Sequence, residues 1–329
     1  MSKARQLANL GNVYDDGGIS GSNLLINGNM EIAQRGTSQT TAGYGSIDRF
    51  NMSLSGATAT MSQESFTIGQ TDVAGSDKYL KLDVTTGNNN SGIYYKVEAK
   101  DAFPAINKQV TLSYYAKGTS PTNGLEVAIA WYDGSTLSSY ASTTVTLTST
   151  WTKYTHTFDV PSISGLTLTN AAAYLELHWG QADTDTGTSA YEVNLAQAQL
   201  EIGDTSTPFE HRSYGDELAR CQRYYEVDNP ATPNTFGGNI RAQAYHPANG
   251  SGNPLNRDGP FQPYKVDKRA SATVTTYAYN GTTGAASGIT GGGTDSNVQV
   301  RSGTTGFQLS STTYRALYVW FAWAADAEL

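Results

Sequence analysis

The stretch QVTLSYYAKGTSPTNGLEVAIAWYDG (109–134) predicts two neighbouring β-strands and, with them, the fold class of the chain. One face of the first segment carries Val110, Leu112, Tyr114 and Ala116, and one face of the second carries Leu125, Val127, Ile129 and Trp131. Alternation with a period of two, bounded by Gly, Asn, Asp or Ser, is typical of strands that are buried on one side and wet on the other.

The same alternation recurs along the first two thirds of the chain, in KYLKLDV (78–84), GIYYKV (92–97), YTHTFDV (154–160) and AYLELHWG (173–180). In YEVNLAQAQLEIG (191–203) it slips by one residue between Leu195 and Ala198, which indicates a β-bulge. Half-buried strands that follow one another at short spacing make an antiparallel sandwich. The sequence therefore predicts an all-β protein whose first sandwich ends near Arg212.

The composition of the chain limits the classes of partner that it can bind. The chain has 329 residues, enough for two domains, and a net charge of −8 with 21 Lys plus Arg, which gives no electrostatic footprint for nucleic acid or an anionic membrane. The closing apolar run, Leu317 to Trp323, is far shorter than the roughly 20 residues that span a bilayer. The single cysteine, Cys221, excludes an intramolecular disulfide framework. The N-terminus has no signal-peptide core, so we expect synthesis in a cytoplasm.

The pattern changes after the first sandwich. SYGDELARCQRYYEV (213–227) predicts a short helix that Ser213 or Asp216 can cap, with Leu218, Cys221 and Tyr225 at helical spacing. Weaker strands follow in SATVTTYAYNG (271–281), NVQVRSG (297–303) and GFQLSS (306–311). We expect four parts: an N-terminal segment (1–21), the sandwich (22–212), a connecting helix (213–226) and a smaller C-terminal β-sandwich domain (227–329). Residues 1–21 are either a flexible terminus or a segment that attaches to a partner.

Three stretches together resemble one family. NLLINGNMEIAQRGTS (23–38), followed by IDRF (47–50), resembles the opening strand of the carbohydrate-binding-module-like jelly rolls in bacteriophage tail fibres. AQLEIGDTSTPFEHRSYGDELARCQRYYEV (198–227) resembles the closing strand of that jelly roll and the helix that leads into the terminal domain of the fibre. KARQLANL (3–10) and the final ADAEL (325–329) resemble the segment before such a domain and the usual end of such chains.

The resemblance implies a fold, a location and partners. The first sandwich would be a jelly roll, and the protein a homotrimeric tail fibre or tail-associated receptor-binding protein. It would be made in the cytoplasm of the host bacterium and carried on the virion tail. Residues 1–21 would attach it to other phage tail or virion proteins, and the C-terminal domain would face the receptor.

The closing apolar run raises the question of what covers it. Leu317 to Trp323 predicts a strand that is apolar on both faces. One face can pack in the C-terminal domain, and we predict that threefold association covers the other. The residues that we expect at this trimer interface are Leu218, Cys221, Tyr225, Leu317, Val319, Trp320, Phe321 and Trp323. The alternative is a core contained within one chain.

Tyrosines are the main candidates for glycan binding. The chain has 21 Tyr and 9 Phe, and a tyrosine ring can stack on a sugar while its hydroxyl stays wet. Tyr94 and Tyr132 lie on the opposite strand faces from Tyr95 and Trp131. In the C-terminal domain we predict that host-surface polysaccharide is bound by Tyr245, His246, Phe261, Tyr264, Tyr277 and Tyr279. The alternative is that these rings fill a sheet surface or a subunit interface.

A structural calcium ion is the one cofactor that the sequence raises. The resemblance implies a Ca²⁺ site that uses Glu31 of the first-strand motif and acidic residues on the last strand, but this chain has Gln197 and Gln199 there. ADTDTG (182–187) places Asp183 and Asp185 in a D-x-D-x-G pattern without the downstream glutamate of a full calcium loop. The alternative is a solvated acidic loop.

Catalysis is not expected. The chain contains no G-x-S-x-G, H-E-x-x-H or phosphate-binding glycine loop, and its closest acidic pairs lie in loops without an apolar setting. The interpretation is a structural virion protein that attaches to host-surface glycan through many weak contacts. The first alternative is a purely structural virion component, such as a head decoration or tail adaptor. A free carbohydrate-binding module is disfavoured by the missing catalytic domain and signal peptide, and a depolymerase by the lack of a carboxylate pair.

Overall fold

A computed structural model of the protein describes residues 23–88, 91–169, 171–182, 184–228, 257–278, 282–288, 294–295, 298–311 and 319–329. For residues 257–260, 286–288, 294–295, 298, 310–311 and 319–320 it describes the backbone alone. Antiparallel strands dominate these residues, so the expected all-β class is confirmed. The proposed attachment segment, residues 1–21, lies outside the described part of the chain.

Eleven strands in the described part of the first 202 residues form a jelly-roll sandwich. They are β1 (Ser38–Gln39), β2 (Phe50–Ser53), β3 (Thr58–Ser65), β4 (Lys78–Thr86), β5 (Gly92–Glu98), β6 (Gln109–Thr119), β7 (Leu125–Tyr132), β8 (Ala141–Val145), β9 (Thr152–Asp159), β10 (Tyr174–Gly180) and β11 (Tyr191–Ile202). One sheet has the order β1-β3-β4-β11-β6-β9 and the other β2-β5-β10-β7-β8, with antiparallel pairing throughout. The apolar inner faces of both sheets share one core.

The residues that the alternation placed inside are inside. Trp131 of β7 and Trp179 of β10 are both 0% exposed, and the ring of Tyr114 meets that of Trp179 edge-on with centroids 6.0 Å apart. Burying an aromatic side chain stabilises a fold by about 1.5–3 kcal/mol. The predicted strand faces are confirmed.

The predicted bulge lies in β11 and brings the first segment of the sandwich against its last strand. The register of β11 against β6 shifts between Ala196 and Gln199, and Gln197 has a φ of 48°. The amide of Ala198 donates to the Gly28 carbonyl oxygen at 2.8 Å. A Cβ at position 28 would lie 2.2 Å from the Ala198 carbonyl oxygen, so only glycine allows this close approach.

Two helices interrupt the strands. The short helix α1 (Ala99–Ala102) continues into a 3₁₀ turn (Phe103–Ala105). The predicted connecting helix is α2 (Tyr214–Gln222), and Ser213 caps it by accepting the Asp216 amide at 3.2 Å. It ends earlier than its apolar spacing indicated, because Tyr225 belongs to a strand that pairs with the end of the chain. That pairing crosses the predicted boundary at residue 226, and the division into domains stays a prediction.

Three small sheets follow α2. Their strands are β12 (Tyr225–Val227), β13 (Arg257–Pro263), β14 (Thr273–Tyr277), β15 (Ala286–Gly288), β16 (Thr294–Asp295), β17 (Val298–Ser302), β18 (Gly306–Ser311), β19 (Val319–Trp320) and β20 (Ala322–Asp326). Their orders are β12-β20-β14, β13-β18-β17 and β16-β15-β19. The closing run is therefore not one strand in the described residues: it breaks at Phe321, and the last strand extends to Asp326.

Both faces of β20 are covered by the chain itself. On one side Trp323 packs on Tyr264 and Phe307, with ring centroids 5.8 and 5.2 Å apart. On the other side Ala322 and Ala324 cluster with residues of β12 and β14. Phe321 and Trp323 are 3% and 6% exposed. At these residues the structure fits the alternative of a core contained within one chain.

The remaining residues of the expected trimer interface differ in exposure. Cys221 and Tyr225 are buried in the single chain, and Leu218 is half-buried. Leu317 and the side chains of Val319 and Trp320 lie outside the described part. Association was expected because these apolar side chains needed cover. Phe321, Trp323, Cys221 and Tyr225 are already buried within one chain, and the trimer stays a prediction.

A buried group of charges fastens the end of the chain to the jelly roll. This ion-pair cluster consists of Arg35, Arg49, Asp326 and Glu328. Arg35 Nη2 lies 2.9 Å from Asp326 Oδ2 and Nη1 lies 3.4 Å from Glu328 Oε1, while Arg49 Nη1 pairs with Glu328 Oε2. Burial alone would lower the pKa of Arg49, but the neighbouring Glu328 carboxylate raises it well above its ordinary value.

Asp48 lies beside this cluster and is 1% exposed. Its carboxylate accepts the Gln34 amide at 2.9 Å and Gln34 Nε2 at 2.6 Å. Burial raises the pKa of Asp48 to about 6, although Arg35 and the hydrogen bonds from Gln34 oppose the rise. The Asp48 carboxyl therefore binds its proton more tightly in the folded protein than in the unfolded chain, where an aspartate has a pKa of about 3.9.

A pH titration of stability tests this assignment. A pKa that is raised on folding contributes stability that is complete below pH ~4 and is lost as pH rises through about 6. The side chain in Asp48→Asn is neutral at every pH. We expect the free energy of unfolding of the wild type, relative to this variant, to fall by about 3 kcal/mol between pH ~4 and pH ~7. Urea unfolding across this range measures it.

The control is Asp72→Asn, which changes an exposed aspartate in a turn. Its stability should follow that of the wild type at each pH. A wild-type curve parallel to that of Asp48→Asn would contradict a raised pKa at Asp48.

Candidate functional site

The outer face of the five-stranded sheet carries a group of polar and aromatic side chains. We call it the tyrosine face, after Tyr94 of β5, Tyr132 of β7, Tyr174 of β10 and Tyr140, which directly precedes β8. Tyr140 is 43% exposed, Tyr94 and Tyr132 are half-buried, and Tyr174 is 8% exposed. The outward positions predicted for Tyr94 and Tyr132 are thus observed.

Two alanines on β7 leave the middle of the tyrosine face without long side chains. Ala128 lies opposite His178 on one side, and Ala130 lies opposite Glu176 on the same side. Because a methyl group occupies little height above the sheet, longer side chains can lie flat across it. The hydroxyl of Tyr140 reaches over to Glu176 Oε1, 3.5 Å away.

His178 lies at the centre of the face and is 2% exposed. The ring of Tyr94 stacks on it with centroids 4.4 Å apart and an interplanar angle of 23°. His178 Nδ1 lies 3.7 Å from Glu126 Oε2, and this interaction lowers the pKa of Glu126. Nε2 is buried without a hydrogen-bond partner in the described part of the chain. A Cβ at position 180 would come within 2.5 Å of this nitrogen, so the glycine makes room for the imidazole.

Glu176 and Lys96 form the charged centre of the next row of residues. They lie opposite each other on β10 and β5, and Lys96 Nζ is 4.5 Å from the centre of the Tyr174 ring. Burial raises the pKa of Glu176 and lowers that of Lys96, because each charged form loses water. A desolvated carboxylate is a strong hydrogen-bond acceptor for hydroxyl groups.

This arrangement suits a carbohydrate ligand. Aromatic rings that lie along a sheet can stack on the apolar faces of sugar rings. Carboxylates beside those rings, such as Glu126 and Glu176, can accept hydrogen bonds from sugar hydroxyls. Alternation identified Tyr94 and Tyr132, but not Tyr140 or the central position of His178, because these depend on β10 lying between β5 and β7.

A second aromatic cluster lies on the outer face of the six-stranded sheet. The rings of Phe66, Tyr79 and Trp151 lie 4.9 to 5.3 Å apart in pairs, and Lys117 Nζ is 5.2 Å from the Trp151 ring. All three rings are half-buried. Alternation could not identify this cluster, since Phe66 and Trp151 lie just outside strands. It provides a control surface on the opposite side of the sandwich.

Only three of the predicted glycan-binding residues of the C-terminal part, Phe261, Tyr264 and Tyr277, are described, and these three do not share one surface. Phe261 of β13 is 56% exposed. Tyr264 is 7% exposed and packs on Phe307 and Trp323, so its ring faces are not open to a sugar. Tyr277 is 9% exposed and lies on the other face of the small sheet β12-β20-β14. Tyr245, His246 and Tyr279 lie outside the described residues.

Hydrogen bonds link the residues near Glu31, and calcium at Glu31 stays a prediction. Glu31 Oε1 accepts from Asn29 Nδ2 at 2.8 Å. The Met30 carbonyl oxygen accepts from Gln63 Nε2 at 2.6 Å, and the Ala74 carbonyl oxygen accepts from Gln197 Nε2 at 2.7 Å. The amides of Gln63 and Gln197 thus each donate to one carbonyl oxygen beside Glu31.

The second calcium candidate lies in the loop after β10. Asp185 is 5% exposed, and its Oδ1 accepts the Gly187 amide at 3.0 Å, while Oδ2 is buried without a partner among the described residues. Asp183 lies outside the described residues. In the described part of the chain no three His, Cys, Asp or Glu side chains are grouped to hold a metal ion. Calcium at Asp185 stays a prediction.

Among the described residues, no helix has both the length and the apolar character needed to cross a membrane.

Comparison with known proteins finds similar solved structures but no matching family. No family model matches the chain, and no curated protein matches it. In contrast, 72 chains of solved structures match. Three of them are named as a cellulose-binding domain, a family 11 carbohydrate-binding module and a xylan-binding domain, while the fold assignment itself rests on the strand pairings of this chain.

The N-terminal cellulose-binding domain of β-1,4-glucanase C from Cellulomonas fimi is 18% identical, with 39% of this chain and 80% of that chain covered and a TM-score of 0.27. The family 11 module of the cellulase Lic26A-Cel5E from Clostridium thermocellum is 13% identical, with coverages of 52% and 96% and a TM-score of 0.31. The CBM22-1 xylan-binding domain of Paenibacillus barcinonensis Xyn10C is 14% identical, with coverages of 51% and 94% and a TM-score of 0.29.

Substitution of Gln197 tests whether its amide holds the bulge in place. In Gln197→Glu a carboxylate would face the Ala74 carbonyl oxygen at neutral pH. We expect this to cost about 1–3 kcal/mol of unfolding free energy. The loss should shrink as pH falls towards ~4, because the protonated acid can again donate to that carbonyl.

Urea unfolding at both pH values measures the effect. Gln197→Met is the matched control, since it removes the donor without adding a charge and its deficit should not change with pH. Equal stability of Gln197→Glu and the wild type at neutral pH would refute the role given to the amide.

Proposed function

We propose that this protein is a glycan-binding attachment protein of a bacteriophage. It acts as a homotrimeric tail fibre or spike and holds the virion tail on a host-surface polysaccharide. The observation that supports glycan binding is the tyrosine face, where four tyrosines surround buried polar groups on an alanine floor. The resemblance of residues 23–38, 47–50 and 198–227 to tail-fibre jelly rolls supports the place on a virion.

The tyrosine face would bind a sugar chain lengthwise. The rings of Tyr94 and Tyr140 stack on successive sugar rings, and Glu126 and Glu176 accept hydrogen bonds from hydroxyl groups. A shallow face binds each chain weakly. Three copies on one fibre, and several fibres on one particle, convert weak contacts into firm attachment because each further contact is intramolecular.

One observation favours a second function, that of a purely structural virion component. Several polar groups of the tyrosine face already have partners within the chain: Tyr140 reaches Glu176, and Lys96 Nζ donates to the Leu329 carbonyl oxygen at 3.0 Å. A head decoration or tail adaptor would need these contacts for stability alone. The two functions differ in whether the protein retains a polysaccharide.

The test combines a screen and one loop variant. The full chain is applied to an array of polysaccharides from bacterial cell surfaces, and the affinity for each retained polysaccharide is measured by calorimetry. Tyr140→Ala removes an exposed ring from a loop, so the fold should persist. We expect its affinity to fall about tenfold, which corresponds to a loss of about 1.4 kcal/mol.

Tyr79→Ala is the matched control, because it removes a half-buried tyrosine from the opposite face of the sandwich. Its affinity should equal that of the wild type. If the wild type retains no polysaccharide, the structural function is correct instead. A loss in Tyr79→Ala without one in Tyr140→Ala would move the site to the other sheet.

A further inference from the structure

A cleft lies where the jelly roll meets the small sheet β12-β20-β14. This junction cleft has a volume of about 580 Å³ and is lined by Arg35, Tyr44, Tyr225, Thr275, Tyr277 and Asp326, among others. Sites that hold small molecules have volumes of about 300–1,000 Å³. The cleft is separate from the tyrosine face, with which it shares no lining residue.

The floor of the junction cleft is one face of the small sheet. Thr273, Thr275 and Tyr277 alternate along β14 and line it, and Thr275 lies opposite Ala324 of β20. The methyl group of Ala324 leaves room above the middle of the floor. Because β14 is at the end of the order β12-β20-β14, the threonine hydroxyls stand at the margin of this sheet.

Tyrosine rings make up the apolar part of the cleft. Tyr225 and Tyr277 belong to the floor, and Tyr44 belongs to the jelly-roll wall. The guanidinium of Arg35 lies over the Tyr225 ring, 3.5 Å from its centre, and 5.6 Å from the centre of the Tyr44 ring. Tyr44 Oη is buried and has no hydrogen-bond partner in the described part of the chain. Because Arg35 covers the Tyr225 ring, Tyr44 and Tyr277 are the lining rings left to contact a ligand beside these polar groups.

The charges of the cleft disfavour an anionic ligand. Arg35 is already paired with Asp326 and with Glu328 of the ion-pair cluster. The Asp326 side chain is 45% exposed, so an anion would meet a carboxylate at the entrance. A purely apolar ligand would bury that carboxylate and the threonine hydroxyls without hydrogen bonds, which is costly. A neutral molecule with several hydroxyls and an apolar face avoids both penalties. It brings no negative charge to Asp326, and its hydroxyls can form hydrogen bonds with the carboxylate and the threonines.

We propose that the junction cleft is a binding site for a neutral saccharide, independent of the tyrosine face. The apolar side of a sugar ring packs against Tyr44 and Tyr277, and its hydroxyls donate to Asp326 and exchange hydrogen bonds with Thr275. The site needs both the jelly roll and the small sheet. It goes beyond the proposed function, since it does not depend on a polysaccharide bound at the tyrosine face.

The test uses the full chain and neutral disaccharides as probes: maltose, cellobiose, lactose and N,N′-diacetylchitobiose. Each is titrated at millimolar concentration while the backbone amide resonances of Thr275 and Ala324 are followed by NMR. We expect at least one probe to shift them in a saturable way. In Thr275→Leu, which fills the cleft from its floor, the affinity of that probe should fall at least tenfold.

Two controls separate this site from other causes. Thr275→Ser keeps the hydroxyl and the space, so it should bind as the wild type does. Tyr140→Ala changes the tyrosine face and should leave the shifts of Thr275 and Ala324 intact. The proposal is overturned if no probe shifts these resonances, or if Thr275→Leu binds as well as Thr275→Ser. Neither result would bear on polysaccharide binding at the tyrosine face.

Discussion

The pairing of Arg49 with Glu328 is the interaction on which the arrangement of the chain depends. It joins residues that are 279 positions apart, and both side chains are almost completely buried, with 1% and 5% exposure. A buried ion pair adds little net stability, because both charges must leave water. Loss of one partner is costly, however, and so the pair fixes where the last strand must lie. Arg49 is further held by the Tyr224 ring, 3.5 Å from its guanidinium, and by the Lys96 carbonyl oxygen.

The position of the last strand has two consequences. Trp323 is turned towards Tyr264 and Phe307, and on the opposite face of the strand Ala322 and Ala324 cluster with Tyr225, Val227 and Tyr277. The apolar end of a polar, glycine-rich chain is thus covered from both sides by its own residues. The same contact creates the junction cleft, whose two walls come from segments far apart in the sequence.

Local patterns allowed most of the jelly roll to be predicted. Alternation placed Leu112, Ile129 and Trp179 inside because burial on one side of a strand imposes a period of two, and the slip before Ala198 marked the bulge. Position in space was harder to predict. The stacking of Tyr94 on His178 depends on β10 lying next to β5, and Arg49 gave no signal of a partner at Glu328. The early end of α2 at Gln222 reflects pairing of Tyr225 with the end of the chain, which helical spacing cannot reveal.

A double-mutant cycle on Arg49→Met and Glu328→Gln, measured by urea unfolding, tests the central claim most directly. If the pair fastens the last strand to the jelly roll, each single variant should lose about 3–5 kcal/mol, and the double variant should lose less than their sum by about 1–3 kcal/mol. Losses that add to within about 0.5 kcal/mol would show that the two side chains do not interact in the folded protein. In that case the cover of the last strand must come from elsewhere.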